Sequence, residues 1–340
     1  MKKICFVTFL IIILLASLPA EAKMKKLGQA GMSFLAIGGS ARAAGMADVF
    51  TFVKNDLSSV FYNPAGLATV EKRSFYFNYT SWIADMSVSH LAVSWNLDKY
   101  GVVALHGQLM DYGTFNGTAI SDTDPKGYAD IDVGDVSGLA LGVGYGIRMT
   151  DRFSIGGNIK YVKQQLGQNQ TFVADVVENK GNPKENKIDD LAFDFGTTYD
   201  TGIRSIVLSM SIRNYAQQQL FENEEFMIPQ TYKIGISADL FQLLPYSPGE
   251  NHSALLAIEG VDPSDRPEFL NLGLEYTLMN MISLRGGWAA QRAQDGVGGI
   301  CAGAGFNLNT EAFSGRVDLA YSDFGSILGS VMRVSLSGAF

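Results

Sequence analysis

Cysteine is nearly absent from this chain, histidine is scarce, and no second long apolar run follows the first. Of the two cysteines, Cys5 lies in the N-terminal apolar run and is expected to leave with it. Cys301 is then alone, which excludes an intramolecular disulfide. The three histidines are His90, His106 and His252, and no third ligand is evident in sequence to make a metal site of the first two. Acidic residues outnumber basic ones by 34 to 26, for a net charge of -8. That balance argues against a nucleic acid partner, because phosphate binding needs clustered Lys and Arg. Charged residues are only 18% of the chain, below the roughly 25% of ordinary soluble domains. After the first run, no apolar stretch reaches the length of about 18 residues that a membrane helix requires. What remains is a large β-protein, or a membrane protein whose spans are not helices.

What is present begins with an export signal. Lys2 and Lys3 precede the apolar run Ile4 to Leu18, and Ala20-Glu21-Ala22 fits the small-x-small cleavage pattern. A secretory signal peptide is expected over 1–22. No cysteine follows the run closely enough for a lipoprotein anchor, and export without disulfides suits a bacterial envelope.

Period-2 alternation dominates the rest. In "VMRVSLSGAF" at the C-terminus, Met332, Val334, Leu336, Gly338 and Phe340 share one face and Arg333, Ser335 and Ser337 the other. "RVDLAYS", "SIVLSMSIRN", "DLAFDFGTTYD" and "YKIGISADL" repeat the pattern. About fourteen such segments of roughly 9–11 residues can be placed, centred from Phe77 to Leu336, which is the span length of a tilted outer-membrane strand. A soluble sandwich would alternate too, but two features favour an outer-membrane antiparallel β-barrel. Tight turns at 149–152, 200–203 and 278–281 alternate with long polar stretches at 111–135, 164–190 and 214–230; "LLPYSPGEN" at 243–251 is longer than that rule predicts. In addition, Arg148, Lys160, Asp194, Arg213, Glu259, Glu275, Arg285, Arg316, Asp318 and Arg333 all fall on the polar face of their segment. A charge aimed into lipid costs about 2–4 kcal/mol at the midplane. Aromatics such as Tyr79, Trp95, Tyr161, Tyr232 and Trp288 sit on the apolar face near segment ends, as interfacial girdles do.

Ahead of the strands, "LSSVFYNPAGLATV" at 57–70 reads as a short helix stopped by Asn63-Pro64-Ala65-Gly66, with a turn leading into a first strand at Ser74. Ser40 is placed to cap a helical stretch rich in Ala and Gly.

Sites for chemistry are sparse. His90 and His106 are expected to face inward as diagonal neighbours on adjacent strands, in lumen packing. "DTDPKG" at 122–127 begins like a calcium loop, but Lys126 and Val133 stand where ligands belong; with Asp130, Asp132 and Asp135 it reads as a solvated acidic loop, the alternative being an improvised calcium site. No G-x-S-x-G elbow occurs, and the glycines of "GLALGVGYG" alternate within a strand. No cofactor, no metal and no enzymatic activity are expected.

The stretch "GSARAAGMADVFTFVKNDLSSVFYNPAGLA" (39–68), together with "SWIADMSVSHLAVSW", "FDFGTTYDTG" and a terminal Phe340, resembles the PorV/PorQ family within the broader FadL-like group of outer-membrane barrels. The resemblance implies a 14-stranded barrel over 74–340 with an N-terminal helical plug, 23–73, folded in the lumen. It gives Asn63, Pro64, Ala65, Gly66 and Leu67 as the plug motif and Phe340 as the signal read by the barrel assembly machinery. It also implies a docking or shuttle role in type IX secretion, with outer-membrane lipid, a translocon and exported cargo as partners. The alternative within the same group is FadL-like uptake of a hydrophobic ligand. The inward faces are small (Gly142, Gly144, Gly146) or charged, and on that ground the sequence leans toward secretion.

Overall fold

A computed structural model describes residues 30–120, 125–132, 134–168, 185–221, 224–243, 249, 251–310 and 313–340. The expected signal peptide and parts of the acidic loop, including Val133, lie outside the described residues. Fourteen antiparallel strands close into one barrel. In chain order they are β1 (Ser74–Ser81), β2 (Ser87–Asn96), β3 (Val102–Asp111), β4 (Val136–Arg148), β5 (Phe153–Gln168), β6 (Glu185–Asp200) and β7 (Val207–Tyr215). The second half is β8 (Thr231–Asp239), β9 (His252–Pro263), β10 (Phe269–Leu278), β11 (Ile282–Ala289), β12 (Ile300–Asn309), β13 (Ser314–Asp323) and β14 (Ser330–Ala339). The first strand closes on the last, from Ser74 opposite Ala339 to Ser81 opposite Met332, so no sheet edge is left open.

Alternation places side chains as the pattern requires. On β13, Val317, Leu319 and Tyr321 are exposed on the outside while Asp318 and Ala320 are buried inside. On β14, Met332, Val334 and Leu336 are exposed and Arg333 and Ser335 buried. Lys160, Asp194, Glu259, Glu275 and Arg285 are likewise buried within. An apolar exterior around a charged interior is the reverse of a soluble protein. The chain is an outer-membrane protein.

The β2–β3, β4–β5, β6–β7 and β10–β11 turns lie at one end of the barrel with Arg73, Phe340 and the longer β8–β9 connection, and the long β3–β4, β5–β6, β7–β8 and β11–β12 connections lie at the other. Part of what reads as long polar loop is strand. β5 and β6 run on to Gln168 and back from Glu185 through a bulge. Two hairpins stand beyond the rim, Asn116–Ile120 with Tyr128–Asp132 and Gln219–Phe221 with Glu224–Phe226. The acidic stretch is therefore built in part as a hairpin, not as open loop.

Residues 30–73 hold no long helix of the kind a helical plug implies. They form short stretches of four to six residues: 3-10 at Ser33–Ala36, α at Ala41–Gly45, and 3-10 at Leu57–Phe61 and Pro64–Thr69. Left-handed residues separate these stretches: Met32 and Asn55 lie just before a turn begins, and Ala47 and Asp48 follow the end of Ala41–Gly45. Ser40 does cap its turn, accepting from the Ala43 N–H at 3.4 Å.

Candidate functional site: the inner wall, its N-terminal segment and a cavity

The wall receives the N-terminal segment on rows of glycine. Gly146 and Gly156 lie so close to residues 64–68 that an added Cβ would meet Pro64 O at 2.9 and 2.4 Å respectively. At Gly196 a Cβ would stand 1.8 Å from Asn63 Oδ1. Asn63 has three bonds in this seat: its amide donates to Thr51 O (2.7 Å) and to Thr197 O on β6 (3.1 Å), and its oxygen accepts from Ala65 N–H (3.1 Å). Pro64 supplies the fixed φ at the first position of the next turn. Ala65, Gly66 and Leu67 are buried within that turn. The glycines of "GLALGVGYG" are thus seats for particular residues, Gly138 for Phe34 and Gly144 for Val60 and Leu67. His90 and His106 are diagonal neighbours across β2 and β3, and both present ring contacts to Phe61, at 4.9 and 5.4 Å between centroids.

A ring of six charges ties the segment to the opposite wall. Arg42 donates to Glu275 on β10 (2.8 and 2.5 Å) and to Asp56 (3.0 Å). Arg285 on β11 bridges Glu275 (2.5 Å) and Asp318 (2.8 Å). Arg316 on β13 stands 3.2 Å from Asp318 and donates to Asp56 at 2.5 Å, closing the circuit. Three guanidiniums balance three carboxylates, so charges that could not be buried singly are buried together. Nearby, the α-turn at Ala41–Gly45 approaches β12 closely enough that a Cβ on Gly45 would meet Gly303 Cα at 3.0 Å.

Between the segment and the long-loop end of the wall a cavity of about 360 Å³ remains. Its lining mixes Tyr62, Trp82, Val261, Phe269 and Phe324 with Arg213, Lys233, Arg292 and Arg333. Arg213 and Lys233 each lie 5.7 Å from the centre of the Tyr62 ring, Arg333 5.8 Å from Trp82, and Arg292 4.4 Å from Phe324. Arg213 and Arg333 are buried, and among the described residues the Nε of each has no hydrogen-bond partner. Asp48 faces the same space and accepts from Tyr62 Oη at 3.0 Å. Burial by itself would push the Asp48 carboxyl up, but Arg333, Lys233 and Arg292 outweigh it and hold the group below the usual carboxylate range.

No family model matches the chain, and no curated protein does. Solved structures do match. The Pseudomonas putida toluene transporter TodX is 11% identical, with 89% of this chain and 98% of that one covered and a TM-score of 0.55. A Pseudomonas aeruginosa FadL homologue gives 11%, 89% and 98%, and 0.51; the Ralstonia pickettii toluene transporter TbuX gives 11%, 89% and 97%, and 0.50. The chain has the FadL-type fold.

These matches correct the PorV/PorQ resemblance and, with it, the secretion role, the translocon and the cargo partners. The structures that share the fold are FadL-type outer-membrane transporters, not PorV/PorQ proteins. The physical reason is that the shared features are generic to this construction. An Asn-Pro-Ala-Gly turn after a small-residue stretch is what seats a segment on a glycine wall, and alternation up to a terminal aromatic is what a last strand carries. The lean toward secretion also rests on inward faces that are small or charged and do not favour a greasy conduit. Several of these charges are spent on the N-terminal segment instead: Glu275 on Arg42, Arg316 on Asp56, Glu259 on the backbone N–H groups of Phe50 and Thr51, and Lys233 on Asp48 O. Sequence gave no sign of the cavity, whose cations come from β7, β8, β14 and the β11–β12 connection. Among the described residues no group of three metal-ligating side chains occurs.

Proposed function

We propose that this protein is a non-enzymatic uptake channel of the FadL-like kind, taking a hydrophobic small molecule that carries an anionic end. In this reading residues 1–22 are a removed signal peptide, 23–73 a plug within the lumen, and 74–340 the barrel embedded in outer-membrane lipid. Asn63, Pro64, Ala65, Gly66 and Leu67 hold the plug against β4, β5 and β6. The observation that carries the proposal is the cavity: apolar and aromatic walls beside two buried guanidiniums with unpartnered nitrogens. Toluene, named for two of the matching transporters, would leave those guanidiniums unanswered, whereas a carboxylate answers them with charge-assisted hydrogen bonds worth about 1.5–3 kcal/mol.

Equilibrium binding of decanoate and of decanol to the purified barrel tests this. Decanoate is expected to bind at least about tenfold more tightly, and Arg213→Met to remove that margin, since about 1.4 kcal/mol is a factor of ten. Equal binding of acid and alcohol, or none of either, would refute the anionic preference.

Phe340, exposed just past the end of β14 and held by its N–H to Arg73 O at 3.0 Å, is proposed as the residue read by the barrel assembly machinery. Phe340→Ser should lower the yield of heat-modifiable barrel several-fold, and an unchanged yield would remove that role.

A further inference from the structure

Asp48 differs from the acids buried in the other ion pairs between the N-terminal segment and the inner wall; Asp200, comparably exposed at 35%, pairs with Lys54 at the end of β6 and does not line the cavity. Side-chain exposure is 3% for Asp56, 0% for Glu259 and 4% for Asp318, but 33% for Asp48, which opens onto the cavity. Its ion pair is also the loosest of the set, with Arg333 Nη1 at 3.5 Å from Oδ1. Of the cations around it, only Lys233 has a closer carboxylate among the described residues. Lys233 is already paired to Glu259 at 3.0 Å. Among the described residues Arg292 donates to uncharged groups, Cys301 Sγ at 2.8 Å and Asp323 O at 3.4 Å. Arg213 makes no ion pair among the described residues, and donates to Leu35 O at 3.3 Å. The second acid on the lining, Asp265, is engaged by Arg266 at 2.9 Å.

The backbone under Asp48 is held against its preference. Ala47 and Asp48 have φ of 58° and 59°, two consecutive non-glycine residues in the left-handed region. Asn271 donates to Ala47 O at 2.8 Å and Lys233 to Asp48 O at 2.9 Å, so the wall pins this turn from outside. The turn directly follows Ala41–Gly45, which bears Arg42 of the six-charge ring.

We infer that Asp48 is an internal counter-anion, standing in the subsite that an incoming ligand's acid group takes over. Displaced from Arg333 and Tyr62, the Asp48 side chain gives up its hold on the turn, and the movement is passed to Arg42 through the short stretch between them. An empty site is thereby kept closed, and an occupied one loosens the segment. Asp48's role rests on the cavity being the ligand site, and the experiment separates the two.

Decanoate and decanol binding are measured on full-length barrel with Asp48→Asn, which keeps the side chain's shape, suits the left-handed backbone and removes the competing charge. Decanoate should bind about tenfold more tightly than to the wild type, with decanol unchanged. Asp48→Ser, which also removes the charge, should give the same gain and serves if the first variant fails to assemble. Decanoate binding to the wild type with no gain in either variant would overturn the counter-anion role and leave the cavity assignment standing. Absence of decanoate binding in wild type and variants alike would overturn both.

Discussion

Asp56→Ala should open the barrel interior to small polar solutes. Asp56 takes a bond from Arg42 at 3.0 Å and one from Arg316 at 2.5 Å, and its other oxygen accepts from Ser58 N–H at 3.0 Å and Ser58 Oγ at 2.6 Å. Removing it leaves three guanidiniums facing two carboxylates in a site that water reaches poorly. Breaking a buried pair costs about 3–5 kcal/mol. The low end applies here, because Arg42 keeps Glu275 and Arg316 keeps Asp318. About 3 kcal/mol corresponds to a change of about a hundredfold in the fraction of molecules with the segment displaced. Conductance in planar bilayers reads that fraction directly. A double replacement, Asp56→Ala with Arg316→Met, restores the balance of charge and should recover part of the closure, since the two sites share one network. Raised salt should not imitate the single variant, because a sealed ring is little screened. Wild-type conductance from Asp56→Ala would mean that the ring does not hold the segment.

The barrel was legible because membrane physics writes it into each strand separately. The inward aim of Glu259, Arg285 and Arg333 follows from period 2 and the cost of charge in lipid, and needs no knowledge of any partner. The diagonal placement of His90 and His106 follows from the short turn at Asp98–Tyr100. The N-terminal segment was not legible in the same way. Its breaks occur where contacts from distant strands hold Ala47 and Asp48 in the left-handed region, and its anchors join residues far apart in sequence, as Arg42 joins Glu275. The cavity was less legible still. No local pattern announces that Arg213, Arg292 and Arg333 converge, because convergence is a property of barrel closure and of what the segment leaves unfilled.

Gly156→Val should unseat the Asn63–Leu67 stretch while leaving the barrel intact. A Cβ at Gly156 would meet Pro64 C at 2.3 Å, Pro64 O at 2.4 Å and Ala65 N at 2.5 Å. These are backbone atoms and cannot rotate aside, so the cost should exceed the usual range for overpacking, about 1–3 kcal/mol. Valine is itself favoured in strands, so β5 has no reason to unpair. The expected result is a heat-modifiable barrel with raised conductance and new protease cleavage near Asn63. Gly286→Val is the control: Gly286 faces outward, and nothing lies within 4 Å of its Cβ position. It should behave as wild type. Gly156 sits on the wall opposite the six-charge ring, so the pair of experiments probes the segment from both sides. If Gly156→Val and Asp56→Ala each open the barrel to the same conductance, the segment moves as one body. Under that outcome a ligand at Asp48, which lies between the ring residue Arg42 and the Asn63 turn, can act on both contacts at once. If only Asp56→Ala opens it, the Asn63 turn is a fixed foot and the movable part is the stretch that carries Arg42 and Asp48. Unchanged conductance and protease resistance in Gly156→Val would mean that the glycine seat does not position the segment at all.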